Sequence, residues 1–174
     1  MERQAGKARG GAGRLAGRLG APREGAPANV LVVGCGPAGL GLAAALARQG
    51  VPDVVLLGPD RPFVNTYGVW RDEFADLGLE GVLDRTWNDT LCYFGEGREI
   101  RVGRAYSRVG RDAFFEALAE RCAQGGVRYV EGEMRGVEPP LRGAPAGSHS
   151  AVELEGGGRL EAGLVVLCSG SSAG

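Results

Sequence analysis

The fold is decided by residues 29–50, NVLVVGCGPAGLGLAAALARQG, which read as an apolar strand, a glycine-rich turn and an alanine-rich helix. The turn places Gly34, Gly36 and Gly39 at G-x-G-x-x-G spacing. In this context the first glycine permits a tight turn, the second lets the backbone approach a pyrophosphate, and the third lets helix and strand pack closely. The first N–H groups of the helix, in the turn that contains Ala38, then face the anion. The stretch therefore predicts a dinucleotide-binding unit.

A glycine-rich turn that binds nothing is the alternative for this stretch. The apolar segment VPDVVLLG, residues 51–58, follows the helix as a second parallel strand, and this context favours the binding interpretation. We expect an α/β fold of the FAD/NAD(P)-binding Rossmann type, with a parallel sheet in a three-layer ββα arrangement, truncated at its C-terminal side.

The position that usually binds the ribose carries no acid. Dinucleotide-binding units place a carboxylate at the end of the second strand, and here that position is Gly58. Asp60 is the nearest carboxylate and a candidate substitute. A solvated turn aspartate ahead of Arg61-Pro62 explains Asp60 equally well. The sequence leaves both interpretations open.

The composition is that of an ordinary globular domain, with 44% hydrophobic and 24% charged residues and a net charge of −1. A charge this close to zero gives no reason to expect a nucleic acid as partner. No apolar run approaches the roughly 18–20 residues that cross a bilayer. The four cysteines show no metal-ligand spacing, and the only histidine, His149, lies in a Pro/Gly-rich loop. We therefore expect neither a metal site nor a histidine-based catalytic triad.

Residues 1–28 differ in composition from the rest of the chain. They hold six basic and two acidic side chains, a net of +4 that leaves −5 for residues 29–174. They contain no aromatic or β-branched residue, so we expect a disordered leader that builds no core. An Arg- and Ala-rich, acid-poor segment is typical of organelle transit peptides, although serine is scarce here. A disordered leader without a targeting signal is the alternative. Residues 29–174 are expected to form the N-terminal part of the binding domain.

The segments Trp87–Phe94 and Glu99–Val102 alternate between apolar and polar residues and read as strands joined by the turn Gly95-Glu96-Gly97. The sequence therefore predicts a hairpin here.

Two further segments extend the βαβ pattern. Arg111-Asp112-Ala113-Phe114, with Leu118, opens a helix, and LVVLCSG, residues 164–170, reads as a final apolar strand. Together with the βαβ unit, this order resembles the flavoprotein family that includes aromatic hydroxylases and geranylgeranyl reductase. The resemblance implies that Arg111 hydrogen-bonds FAD, that residues 164–170 form another FAD-contacting segment, and that Arg108 in the arginine-rich entry to the helix is a further candidate ligand. A solvent-facing arginine is the alternative for Arg111.

The connecting segments carry a closer resemblance, to the plant and algal lycopene cyclases, from about Val30 to Gly174. The matching phrases are GPDRPFVNTYGVWRDEFADLGLE, RTWNDTLCYF, GRAYSRVGRDAF and CSGSSAG. NTYGVWRDEF is the most specific, being similar to the family's NNYGVWxDEF. The GCGPAGL turn, GPDxPF and RAYxRV are more similar to the ε-cyclase branch, because the β branch usually has GGGPAGL and an acid just after the second strand. Thr66 and Ser107 depart from the family's Asn and Gly.

The resemblance implies an isomerising cyclase that uses reduced FAD without net electron transfer, with NADPH as the reductant. In such enzymes an acid protonates a linear end of lycopene or a related carotenoid, and the cation closes to a six-membered ring. Loss of a proton from C4 then gives an ε ring, and loss from C6 a β ring. An electron-rich flavin would stabilise the cation, and a dry pocket would protect it from water. The resemblance also implies a chloroplast location and peripheral membrane contact through C-terminal residues that this chain lacks.

The catalytic acid is not identified in this chain. Family members continue well past the position of Gly174 and carry an acidic motif there, so we expect an inactive N-terminal fragment. Asp72 and Glu73 are the nearest candidates, but adjacent helix residues point in different directions, and charges favoured by the helix dipole explain them. One interpretation of Tyr67 and Trp70 is that they line a polyene channel or stack near flavin. The alternative is that they are ordinary core aromatics.

Two other functions stay open on the sequence. The first is an FAD-dependent hydroxylase or reductase on the same scaffold, against which NTYGVWRDEF argues because the phrase belongs to the cyclases. The second is a non-catalytic, truncated flavin-binding remnant.

Overall fold

The computed structural model describes residues 14–95 and 97–170. The first thirteen residues of the expected leader, Glu96 of the expected hairpin turn and the last four residues of CSGSSAG lie outside the described residues. In the described part, one large sheet carries helices on one face, and two small sheets lie beside it.

The helices are α1 (Pro37–Arg48), α2 (Arg71–Asp76) and α3 (Arg111–Gln124), with a short 3₁₀ turn at Glu80–Val82. The strands are β1 (Ala28–Val33), β2 (Val54–Gly58), β3 (Gly68–Trp70), β4 (Leu83–Trp87), β5 (Leu91–Tyr93), β6 (Glu99–Arg101), β7 (Tyr106–Val109), β8 (Arg128–Glu131), β9 (Met134–Glu138), β10 (Ser150–Leu154) and β11 (Arg159–Leu167). None of these helices is long and apolar enough to cross a membrane.

The large sheet confirms the expected α/β class. Its strand order is β8-β2-β1-β11-β10-β9, and the first four strands run parallel to one another. The central strand β1 is paired on both sides, with Val32 opposite Leu56 of β2 and Val166 of β11. A parallel strand is covered on both faces, which is why β1 and β2 are nearly continuous apolar runs.

Two apolar clusters cover the two faces of this sheet. Helices α1 and α3 pack on one face, where Val32, Leu56, Leu40 and Phe115 are buried. On the other face, side chains of the antiparallel strands β9, β10 and β11 complete a second cluster around Leu31 of β1. The strand β11 joins both parts, because residues 159–162 pair with β10 and residues 162–167 pair with β1.

The small sheets have the orders β3-β7-β4 and β5-β6. Sequence reasoning expected a single strand from Trp87 to Phe94, and this is wrong: the segment is split between β4, which pairs with β7, and β5, which pairs with β6. The break at residues 88–90 is polar, and its Asp89 and Thr90 bond to Arg101 and the Arg104 carbonyl. The expected hairpin between β5 and β6 is confirmed.

The structure differs from the expected disorder over residues 14–28. Leu15 is 0% exposed and Leu19 is buried in the cluster beneath α3. The guanidinium of Arg14 lies 5.4 Å from the ring centre of Phe115, and the Gly20 carbonyl accepts a 2.9 Å hydrogen bond from the Tyr129 N–H at the edge strand β8. A segment too polar to form its own core is ordered because the domain supplies the apolar surface and the free strand edge. That this segment belongs to a transit peptide stays a prediction.

Candidate functional site

A cleft of about 640 Å³ opens at the carboxyl ends of the parallel strands, where ligands of open α/β sheets bind. Its walls come from four segments that are distant in sequence: the turn after β1, the loop after β2, the connection from β8 to β9, and the residues after β11. These segments are residues 33–38, residues 58–67 (without Asp60 and Thr66), residues 132–134 and residues 168–170.

Two glycines of the predicted phosphate loop are fixed by close packing. Gly34 has φ +116°, and a Cβ on it would lie 2.6 Å from the carbonyl carbon and oxygen of Cys168. A Cβ on Gly39 would overlap the carbonyl oxygen of Gly34 itself. The turn therefore closes against β11 and against its own helix, as the role of the first and third glycines requires.

Gly36 differs from both, because a Cβ on it would meet no atom within 4 Å. It is the N-cap residue of α1, has an ordinary φ of −76°, and lines the cleft with Pro37 and Ala38. No side chain caps this helix end, and its first turn holds no acidic residue. The first-turn N–H groups and the positive end of the helix dipole are thus available to an anion in the cleft.

The end of β11 lies against this loop. The Cys168 N–H donates a 2.7 Å hydrogen bond to the Val33 carbonyl, and Cys168, Ser169 and Gly170 line the cleft. The structure therefore brings together the glycine turn and the late segment that the sequence predicted to contact the same ligand.

Cys35, between the first two glycines, fills the space at the end of β2. A Cβ on Gly58 would lie 2.7 Å from the Cys35 Sγ and 2.9 Å from its backbone nitrogen. Burial, followed by the charge of Asp60, raises the pKa of the Cys35 thiol to about 12. The thiol is consequently protonated at neutral pH and acts as a small packing group.

Asp60 does not line the cleft. Its Oδ2 accepts a 2.7 Å hydrogen bond from the backbone N–H of Leu15, while its Oδ1 is buried without a partner among the described residues. The carboxylate is therefore directed at the N-terminal segment rather than at the dinucleotide position. Sequence reasoning offered Asp60 as a ribose ligand or a solvated turn residue, and the structure supports neither role.

The two candidate arginines are placed differently. Arg111 begins α3, and its Nη1 donates a 2.7 Å hydrogen bond to the carbonyl of Val64, which lines the cleft. Arg108, on β7, pairs instead with Asp84 at 2.8 Å and does not line the cleft. Arg111 thus contacts a wall residue of the predicted site without lining the cleft itself, and Arg108 links β7 to β4.

The conspicuous phrase NTYGVWRDEF spans the cleft wall and the small sheet. Asn65 and Tyr67 line the cleft, and the Tyr67 ring packs edge-on against Phe63 and Phe114, at 5.9 and 6.2 Å between ring centres. Trp70 lies outside the cleft, packed on Tyr106. Tyr67 therefore faces both the cleft and the core, whereas Trp70 belongs to the small sheet.

Asp72 and Glu73 are held by one arginine. Arg104 bonds to both carboxylates, at 2.7 and 2.9 Å, and its guanidinium lies 4.6 Å from the ring centre of Trp70. The Arg104 hydrogen bond lowers the pKa of Asp72 below its ordinary value. A general acid needs the opposite shift, so the structure gives no support to Asp72 as a proton donor.

The two departures from the cyclase pattern are also accommodated. Thr66 is exposed in the loop before β3. Ser107 is 0% exposed on β7, and its hydroxyl is satisfied by the Thr86 hydroxyl at 2.9 Å. Neither residue touches the cleft.

Sequence reasoning missed the charged pair at the rim of the cleft. Arg61, from the loop after β2, donates a 2.9 Å hydrogen bond to Glu133, from the connection between β8 and β9. The signal that identifies Glu133 is topological: β8 neighbours β2, so residues after β8 reach the carboxyl edge where a nucleotide would bind. Among the described residues, no group of acidic, cysteine and histidine side chains is arranged to hold a metal ion.

The arrangement fits a dinucleotide on three observations. The close-packed glycines form the tight turn, the open space at Gly36 admits a phosphate, and the uncapped end of α1 supplies donors. FAD and NAD(P) share these requirements, so the geometry of the turn alone does not separate them.

Several solved structures have a similar fold. CabE, an aromatic hydroxylase from angucycline biosynthesis, is 27% identical with a TM-score of 0.59, over 83% of this chain and 31% of its own. A geranylgeranyl bacteriochlorophyll reductase-like protein from Thermoplasma acidophilum is 18% identical with a TM-score of 0.59, over 82% and 39%. The flavin-dependent brominase Bmp2 is 17% identical with a TM-score of 0.60, over 84% and 39%. These similarities confirm the Rossmann-type fold.

Sequence comparisons identify the family. The model of the family described as "Lycopene cyclase protein" matches residues 29–174. The lycopene beta cyclase of Synechococcus elongatus is 34% identical over 83% of this chain and 34% of its own length. The capsanthin/capsorubin synthase of Citrus sinensis is 31% identical over 82% and 27%, and the chloroplastic lycopene beta cyclase of Arabidopsis thaliana 30% over 83% and 28%. The chain spans about a third or less of these relatives' lengths. Since the family model matches residues 29–174, the chain belongs to the lycopene cyclase family.

Proposed function

We propose that this chain is the N-terminal, FAD-binding portion of a lycopene cyclase of the ε type, acting in carotenoid biosynthesis. The observation that carries the proposal is the cleft at the G-x-G-x-x-G turn, with Asn65 and Tyr67 of the cyclase-like phrase NTYGVWRDEF in its wall. The first feature supports a dinucleotide and the second ties that dinucleotide site to the cyclases.

FAD is the dinucleotide that we assign to the cleft. The pyrophosphate is assigned to Gly34, Gly36, Ala38 and Gly39, where the loop packs closely and the helix end is open. Arg111 acts at the same wall through the Val64 carbonyl. CabE and Bmp2, which share the fold, are named as an aromatic hydroxylase and a flavin-dependent brominase, and this likeness supports a flavin.

When bound in the reduced form, with NADPH as the reductant, FAD supplies an electron-rich ring that stabilises a substrate cation without net electron transfer. The chain's own residues bind and orient the dinucleotide and contribute an aromatic wall of Phe63 and Tyr67, which pack on the buried ring of Phe114 behind them. An apolar wall of this kind excludes water, which would otherwise trap a carbocation. The substrate that we propose is lycopene or another carotenoid with a linear end.

The type of ring that the cyclase forms, ε or β, is the most specific part of the proposal. The curated relatives named above carry β-cyclase and capsanthin synthase names. We favour the ε type because Cys35 and Gly58 occur together here, where the β branch usually has glycine in the turn and an acid just after the second strand. The 2.7 Å spacing between Cys35 Sγ and a Cβ on Gly58 gives a physical reason for linking the two positions, since side chains at both would collide.

A plastid location is proposed on two grounds. Plant relatives are named chloroplastic or chromoplastic. The N-terminal residues of this chain are also rich in Arg and Ala and poor in acids. We further propose that the complete enzyme contacts the membrane surface through parts that lie outside these 174 residues.

The test is expression of the complete reading frame, read from the transcript past Gly174, in bacteria that accumulate lycopene, followed by pigment analysis. The proposal predicts δ- or ε-carotene, while the 174 residues expressed alone leave lycopene unchanged. β-Carotene would contradict the ε assignment but keep the cyclase. Unchanged lycopene, together with flavin-dependent NADPH oxidation by the purified protein, would instead indicate a hydroxylase or reductase.

A further inference from the structure

The ribose-binding carboxylate that dinucleotide sites place at the end of β2 has no room in this protein. A side chain on Gly58 would collide with the Sγ and the backbone nitrogen of Cys35. The acid must therefore come from elsewhere if the ribose hydroxyls are bound by a carboxylate.

Asp60 is not available for this role. It lies outside the cleft lining, and one of its oxygens is occupied by the N–H of Leu15, a residue that is itself fully buried. Turning Asp60 toward the cleft would leave that buried N–H without an acceptor, which is unfavourable.

Glu133 is placed where the missing acid would be needed. Glu131, the last residue of β8, lies opposite Gly58, the last residue of β2, so Glu133 in the connection after β8 lies just beyond the end of β2. Its backbone is held by a 2.8 Å hydrogen bond from the Glu155 N–H to its carbonyl. Of the described residues that line the cleft, the two charged ones are Glu133 and Arg61, and they bond to each other at 2.9 Å.

We propose that Glu133 binds the ribose hydroxyls of the adenosine half of the dinucleotide and that Arg61 positions its carboxylate. This inference rests on the proposed function, because it names the subsite that the FAD-binding cleft would use. A carboxylate accepts hydrogen bonds from a 2′-hydroxyl and repels a 2′-phosphate, and its pairing with Arg61 neutralises the cation that would otherwise attract that phosphate. The cleft therefore selects adenine dinucleotides with a free 2′-hydroxyl, such as FAD, over those with a 2′-phosphate, such as NADPH.

The test measures binding of two matched ligand pairs to the full chain by calorimetry. The first pair is ADP and 2′-deoxy-ADP, and the second is ADP-ribose and its 2′-phosphate. The variants are Glu133→Ala and the control Glu131→Ala, which removes an exposed carboxylate from the same segment but outside the cleft lining. A hydrogen bond to a charged group predicts that the unaltered chain binds ADP about tenfold more tightly than 2′-deoxy-ADP.

Glu133→Ala is expected to abolish this tenfold preference and to strengthen binding of the 2′-phosphate, because Arg61 is then unpaired. Glu131→Ala is expected to keep the preference. A general loss of folding would weaken all ligands together, so the opposite changes for the two pairs separate ribose binding from a structural role. If Glu133→Ala keeps the preference for ADP, the inference is wrong while the FAD site stands. If no adenine nucleotide binds the unaltered chain, the proposed function fails with it.

Discussion

The glycine turn after β1 and the hairpin of β5 and β6 use the same residue type for opposite reasons. In the turn, a Cβ on Gly34 or Gly39 would collide with backbone atoms. In the hairpin turn, Gly95 and Gly97 have positive φ values of 112° and 68° but nothing within 4 Å of a Cβ. The first pair is required by packing and the second by backbone conformation alone.

The two regions also differ in how deeply their side chains are buried. Beside the glycine turn, β2 is buried along its whole length, and β1 is buried at every position except Asn29. In the hairpin, Tyr93 and Phe94 are 61% and 83% exposed. The comparison teaches that the dinucleotide end of the sheet owes its shape to close contacts at Gly34 and Gly39. Substitutions at these two glycines are therefore costly, whereas the hairpin tolerates substitution.

The largest effect is expected at Gly39. Replacing it with alanine would overlap the Gly34 carbonyl oxygen, so we expect a loss of about 3 kcal/mol or more in the free energy of unfolding. Gly41→Ala is the matched control in the same helix, where a Cβ meets no atom within 4 Å, and it should stabilise by about 0.5–1 kcal/mol. Urea denaturation measures both. Equal stabilities for the two variants would contradict the close packing.

Leu15 extends the closely packed region to the N-terminal segment. Truncation to alanine removes a fully buried side chain from the cluster near α3, with an expected loss of about 2–4 kcal/mol. Leu141→Ala, at a side chain that is 87% exposed, should change the free energy of unfolding by less than about 0.5 kcal/mol. The same denaturation measurement applies, and a negligible effect of Leu15→Ala would restore the picture of a disordered leader.

Phe94 tests the expectation that the hairpin of β5 and β6 tolerates substitution. Since its ring is 83% exposed, Phe94→Ser should change the free energy of unfolding by no more than about 0.5 kcal/mol. Thermal and urea unfolding of the full chain would measure this change. A loss comparable to that of Leu15→Ala would mean that the hairpin is packed as tightly as the sheet.

The smallest effect is expected for Asp72→Asn, in the exposed network around Arg104. Because the Arg104 hydrogen bond holds the folded pKa of Asp72 below its ordinary value of 3.8, the ionised carboxylate favours the folded state above that pH. This contribution disappears as the pH falls through the folded pKa. The urea midpoints of the two proteins should therefore differ slightly at pH 7 and converge as the pH falls through the folded pKa of Asp72. A difference that grows on acidification would contradict the assigned pKa direction.

The regions also differ in how far sequence predicts them. The βαβ unit is predicted well because its signals are local: an apolar run, three glycines at fixed spacing, and a helix with small residues. The start of β11 at Arg159 was missed, because residues 159–163 are mixed in polarity and become a strand only by pairing with β10. The strand break at residues 88–90 was missed for the same reason, since two different partners select β4 and β5.

At the site, sequence reasoning failed where the role of a residue depends on contacts with distant parts of the chain. The roles of Gly34 and Gly39 followed from spacing, and the open surroundings of Gly36 agree with its assigned role. Asp60 was chosen for its nearness in sequence to β2, but its partner, Leu15, lies 45 residues away. Glu133 was missed because only the order of the strands places β8 beside β2.

The central claim is that the turn at Gly34–Gly39 holds the pyrophosphate of FAD, and Gly36→Val tests it most directly. The chain would be purified with FAD, and bound flavin and thermal stability would be measured for the unaltered chain, Gly36→Val and the control Gly41→Val. Both substitutions enter open space and should leave the fold intact. We expect Gly36→Val to lose flavin because its side chain occupies the approach of the pyrophosphate, and Gly41→Val to retain it. Stoichiometric flavin in a folded Gly36→Val protein would contradict the assignment.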